Sequence, residues 1–107
     1  MKIPEFLKIG GHRVEVEKNH LFREIDNCLG MSLTLEDKIL LSSQEQGLLL
    51  SESAGAVNFL HEIFHWVDFV YLGRKLTEDE VRVLAEGFFQ ILRDNNLDFR
   101  EGGGITA

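Results

Sequence analysis

Along the first forty or so residues apolar and polar positions alternate, and from about Ser51 they switch to a helical period. The stretch FLKIGGHRVEVE, residues 6–17, holds two alternating runs joined by Gly10-Gly11, which predicts a tight β-hairpin. MSLTLEDKILLSS, residues 31–43, alternates again and predicts two strands turning at Glu36-Asp37. Between them lies HLFREIDNCLG. Its apolar positions 21, 22, 25, 28 and 29 fit one helical face, while Ile25-Asp26-Asn27 equally ends a short strand. Both readings stand for that segment.

Ser51 or Ser53 caps a predicted helix that runs to Leu72, with Gly73 as its stop. A second helix opens at LTEDEVRVLAEGFFQILRDNN. Thr77 to Glu80 has capping-box spacing, the apolar positions 81, 84, 85, 88, 89 and 92 follow on one side, and Asn95-Asn96 ends the run. Strands first and helices after predict an α+β fold. Residues 1–96 form one domain in this reading, and 97–107 a Gly-rich tail.

Composition narrows the class. A chain of 107 residues with 44% hydrophobic content can bury one modest core. No apolar run reaches the roughly 20 residues that span a bilayer, and MKIPEFLKIGGHRVEVE is too charged for a secretory signal. No membrane partner and a cytoplasmic location are expected. Cys28 is the single cysteine, so neither an internal disulfide nor a thiolate zinc cluster can form, and a small buried thiol is the plain expectation for it. A formal charge of −7 argues against a nucleic-acid partner.

One motif carries chemistry. In FLHEIFHWVD, residues 59–68, His61 and His65 stand four apart with Glu62 directly after the first. On a helix two such imidazoles share a face and can both reach a zinc ion at about 2.0–2.1 Å. Glu62, about 100° round the helix from His61, stands too far aside to be a ligand. It can instead accept a proton from a water that the ion activates, the general-base role in zinc peptidases. Chance places this pattern in about 1–2% of chains of such composition. Paired core histidines are a weak alternative, because unpaired imidazoles are costly on a helix buried on most sides.

A third ligand is required. Asp68 and Tyr71 stand where an HExxHxxGxxH continuation needs Gly and His. Asp68 lies about 10 Å along the axis from His61, which suits it better to holding a ligating histidine in place than to ligation. On the second helix Glu78 and Glu80 are in the first turn, where acids stabilise the helix dipole without further reason. Glu86 lies mid-helix between the small residues Ala85 and Gly87. A mid-helix Gly costs roughly 1 kcal/mol relative to Ala, which points to a close helix approach there. Glu86 is the expected third ligand.

His61-Glu62-x-x-His65 followed by Glu86 resembles the gluzincin clan of zinc peptidases, and the chain resembles its smallest members, the minigluzincins and related phage-type HExxH proteins. KIPEFLKIGGHRVEVE, REID, FLHEIFHWVD and LTEDEVRVLAEGFFQILRDN carry the resemblance, over about half of the chain. It implies a small antiparallel sheet over the active-site helix and a glutamate-bearing helix. It implies also that the strand Ile39–Ser43 lines an extended peptide. Larger gluzincins place an aspartate four residues after the glutamate ligand, where this chain has Gln90, so Asp68 is left for that task. His12, His20 and Tyr71 are candidates for stabilising an oxyanion, each with a structural role as the plainer reading.

The expected function is a zinc metalloendopeptidase: Zn2+ on His61, His65 and Glu86, Glu62 as base, and a peptide or protein as substrate. The small relatives imply latency, with the tail 97–107 covering the cleft. The alternatives are a zinc-binding regulatory or interaction module with weak or no turnover, and a helical packing unit without metal.

Overall fold

The structure, a computed structural model, describes residues 2–23, 28–45 and 47–97. Among the described residues six strands and two α-helices follow the order β1 (Phe6–Ile9), β2 (His12–Glu17), β3 (Gly30–Leu33), β4 (Lys38–Leu41), β5 (Gln44–Glu45), β6 (Leu48–Leu49), α1 (Glu52–Val67) and α2 (Glu78–Asp94). The class is α+β, as the change of period predicts.

β1 and β2 pair antiparallel with Ile9 opposite His12. Of the two intervening residues Gly10 alone has positive φ, at 58°, the mark of a type II′ turn. A Cβ on Gly10 would also come within 2.7 Å of Val70, so both turn and packing require glycine there. β3 and β4 pair antiparallel, Leu33 opposite Lys38, with Asp37 left-handed at φ 53° in the expected turn. The four-stranded sheet is nevertheless not wholly antiparallel. Its order is β1-β2-β4-β3, and β2 runs parallel to β4. β5 and β6 form a separate hairpin that the hydrophobic pattern does not announce.

Alternation along β2 turns Val14 and Val16 inward and leaves Arg13, Glu15 and Glu17 exposed. With Ile39 and Leu41 of β4 they meet Phe59 and Trp66 of α1, and Leu7, Ile9, Ile63, Phe69 and Val70 surround the cluster. Each such buried side chain contributes about 1.5–3 kcal/mol. α1 therefore lies across one face of the sheet, and α2 packs against α1 through Val81 and Ala85, both fully buried. The Phe64 and Phe88 rings meet edge to face at 5.9 Å.

Ser51 Oγ accepts the Ala54 amide and caps α1. The expected single helix to Leu72 changes pitch at Asp68, where a π-helical turn, Asp68–Leu72, ends on left-handed Gly73. Thr77 and Glu80 form the complete capping box of α2, and Asn95 closes that helix. Gly87 fits its expectation less well: a Cβ there would meet nothing within 4 Å, so it is not a point of close helix approach. No helix among the described residues is long and apolar enough to cross a membrane. The undecided segment 20–29 is irregular at 20–23, and its residues 24–27 lie outside the description, as does the tail beyond Leu97.

Candidate metal centre

His61 and His65, one turn apart on α1, bring their Nε2 atoms to 3.1 Å of each other. Glu78, the first residue of α2, reaches both. Its Oε1 lies 2.5 Å from His61 Nε2 and its Oε2 3.0 Å from His65 Nε2. With one atom taken from each residue the three lie within 4.8 Å of one another, against about 3.3–3.4 Å for atoms bound tetrahedrally at about 2.0–2.1 Å. Each imidazole meets its own oxygen of the carboxylate, so two parallel N–H···O bonds also satisfy this geometry. The three are the residues whose donor atoms converge in a metal-compatible group among the described residues. Two neutral imidazoles and one carboxylate are a donor set that suits zinc and leaves a position open.

Electrostatics distinguish the two carboxylates, Glu78 and Glu62. Partial burial pushes the Glu78 carboxyl up, but the hydrogen bond from His61 and the fields of both imidazoles outweigh it, and the net shift is downward. Glu78 is thus held ionised. For Glu62 burial dominates and raises the carboxyl above its ordinary value, against the Ser32 hydrogen bond and the two histidines.

Glu62 is buried and points to the sheet rather than to α2. Ser32 Oγ–H of β3 donates to its Oε1 at 2.8 Å. One turn earlier, Asn58 Nδ2 donates to the Leu29 carbonyl at 2.6 Å. Between them Gly30 makes room: a Cβ there would lie 2.7 Å from Asn58 Oδ1 and 2.8 Å from Glu62 Oε2. These groups meet at a cleft of about 1180 Å³ whose walls are Leu29 and the β3 residues Gly30, Met31 and Ser32, α1, the turn after it and the inner side of α2.

The structure thus brings His61, Glu62 and His65 together, and joins to them Glu78 rather than Glu86. Glu86 begins two turns further along α2, about 12 Å on at 1.5 Å per residue. It lines the same cleft, but its carboxylate takes Arg82 Nη1 at 3.3 Å. Asp68 contacts neither imidazole through a hydrogen bond. Its buried Oδ1 accepts the amides of Lys75 and Leu76 at 2.9 and 3.1 Å, and its carbonyl accepts those of Gly73 and Arg74. It fixes the turn that delivers Glu78. Gln90 bonds Asp94, on its own helix.

None of the three oxyanion candidates lines the cleft. His12 bonds Asp37 and packs on Trp66, His20 bonds Glu17, and Tyr71 is exposed. The expected peptide-lining strand also changes. β4 is an inner strand paired on both sides, and β3 is the edge strand beside the cleft. Ser32 and Gly30 carried no signal in the sequence beyond a glycine inside a strand pattern. Glu78 was concealed because an acid in a first helical turn needs no further explanation. No family model, curated protein or solved structure matches the chain.

Proposed function

We propose that this protein is a zinc-dependent metallopeptidase in which His61, His65 and Glu78 hold the ion and Glu62 is the general base. The observation that carries the reading is the meeting of two imidazole nitrogens and a carboxylate within 3.1 Å, beside a buried carboxylate that belongs to the next position of the same helix. Zinc held there by His61, His65 and Glu78 would supply Lewis acidity, for a carbonyl oxygen and for lowering the pKa of a bound water toward neutrality.

The protein groups do the rest. Glu62 accepts the proton of the attacking water and returns it to the departing amine. Burial raises its carboxyl, which brings its basicity nearer to the working pH. The Ser32 hydrogen bond holds the other end of the carboxylate still. β3, with one edge unpaired within its sheet, offers backbone groups to an extended peptide. A cytoplasmic setting goes with this reading, in keeping with a single cysteine in the chain.

The test separates ligand from base. Glu78→Ala is expected to lose zinc, measured by metal analysis after dialysis, while Glu86→Ala keeps it. Glu62→Gln is expected to keep zinc and lose hydrolysis of a mixed peptide library. Retention of zinc by Glu78→Ala with its loss from Glu86→Ala would reverse the ligand assignment. Zinc binding without hydrolysis in any form of the protein would make the site a metal-binding module.

A further inference from the structure

Arg74 lines the same cleft as His61, Glu62 and His65, and the proposed reaction gives it no part. Its backbone is left-handed at φ 63°, directly after Gly73 at φ 67°, an uncommon conformation for a residue with a Cβ. The side chain is fixed at two points. Nη2–H donates to Thr34 Oγ1 at 2.9 Å, and the guanidinium carbon lies 4.8 Å from the centroid of the Phe69 ring, within cation–π range.

A guanidinium has five N–H donors, and the Thr34 bond uses one. Among the described residues Arg74 has no carboxylate partner, unlike Arg93, the other arginine of the cleft, which pairs with Asp94. Most carboxylates of the cleft are already engaged: Glu78 by the histidines, Asp68 by backbone amides and Glu86 by Arg82. Glu45, on the β5–β6 hairpin, is the exception. The wall therefore presents one oriented cation with unused donors, the group that best matches a planar carboxylate. At a net charge of −7 the protein repels acidic peptides at long range, so their capture requires such a local cation.

Resting on the reading of this site as a peptidase centre, we propose that Arg74 is a specificity-determining residue that binds a substrate carboxylate, and that the preferred substrates are acidic peptides. The carboxylate belongs either to an Asp or Glu side chain or to a free C-terminus.

The experiment measures equilibrium binding of fluorescent hexapeptides to the full chain kept in chelator, so that no hydrolysis intervenes. One peptide pair differs by Glu against Gln with the C-terminus amidated, and a second pair by a free against an amidated C-terminus. The expected result is about tenfold tighter binding of the acidic member of one pair, and the pair that responds identifies the source. Arg74→Gln and Arg74→Asn, the latter tolerant of left-handed backbone, should erase the preference without weakening the neutral peptides. Arg74→Lys should restore part of it. Equal binding of acidic and neutral members by the unaltered protein, or a preference that survives both substitutions, overturns the proposal. Hydrolysis of the same peptides with zinc present is scored separately. Its absence with the preference intact removes only the peptidase reading. Hydrolysis that falls alike for every peptide in Arg74→Gln, through kcat and not KM, also overturns the proposal, because the arginine would then act on the reaction itself.

Discussion

Gly30 is where a single missing methyl decides the position of Glu62, the proposed base. A Cβ there would press on the ends of Asn58 and Glu62, and those side chains are tied by hydrogen bonds to Leu29 and Ser32, on either side of Gly30, so neither can yield without straining one. Gly30→Ala is expected to cost about 1–2 kcal/mol of stability, the magnitude of one lost buried hydrogen bond. Hydrolysis should fall by about tenfold or more, because a base displaced from its reach loses most of its effect. Zinc content should not change, since the nearest atoms such a Cβ would meet belong to Asn58 and Glu62 and not to His61, His65 or Glu78. Denaturant titration, metal analysis and peptide kinetics on one preparation check all three. Loss of zinc in Gly30→Ala would show that β3 supports the ligands too. At this scale the sequence was informative where spacing alone defines a face, as at His61 and His65. It was silent where a residue's use depends on what another element places opposite, as at Ser32 and Glu78.

The segment from α1 to α2 works as one device. The Asp68 carboxylate gathers two amides of the turn, the capping box starts α2 at once after it, and Glu78 emerges at the first helical position. Asp68→Ala leaves those amides without their acceptor, at a cost of about 1–3 kcal/mol, and frees the turn that aims Glu78. Zinc affinity is expected to drop by about 10–100-fold, while Asp68→Asn, which keeps an acceptor oxygen, loses less. Competition with a chromophoric chelator measures both. An Asp68→Ala protein with unchanged affinity would mean that Glu78 is positioned by its own helix alone. Both helix starts, the end of α2 and the Gly73 stop of the turn that continues α1 were legible, because caps are local chemistry: Ser51, Thr77, Gly73 and Asn95 each act on amides or carbonyls within a few residues. The π-helical turn was not, since nothing in DFVYL distinguishes a wide turn from a regular one.

For the molecule as a whole, an ion held at the proposed site would join two helices and so become part of the fold's stability. Zinc at about a hundredfold over its dissociation constant should stabilise by about 2.7 kcal/mol. In a chain of this size that raises the melting temperature by about 10 °C or more. Thermal denaturation with chelator and with added zinc gives the comparison, and coincident curves would remove the metal from the account. The α+β class was readable from the change of period, because alternation and helical spacing report which face of an element is buried. Which strands are neighbours was not readable, and so the parallel pairing of β2 with β4 and the edge position of β3 went unseen. Alternation is satisfied by any order that buries Val14, Val16, Ile39 and Leu41 together.

The clasp made by Asp68 also fixes a length. Its oxygen reaches amides seven and eight residues ahead, and the carboxylate that meets the histidines follows three and two residues after those. One residue added between Gly73 and Thr77 would move either the amides away from Asp68 or Glu78 away from His61. Insertions and deletions should therefore be tolerated in the β5–β6 hairpin and excluded from this turn. Lineages that share the chemistry would then preserve the interval from Asp68 to Glu78 while the residues within it drift. Counted from the first histidine, the pattern is His-Glu, two residues, His, two residues, Asp, nine residues, Glu. Such a spacing is inherited as a distance rather than as a string of letters, and it can mark kinship where identity has faded.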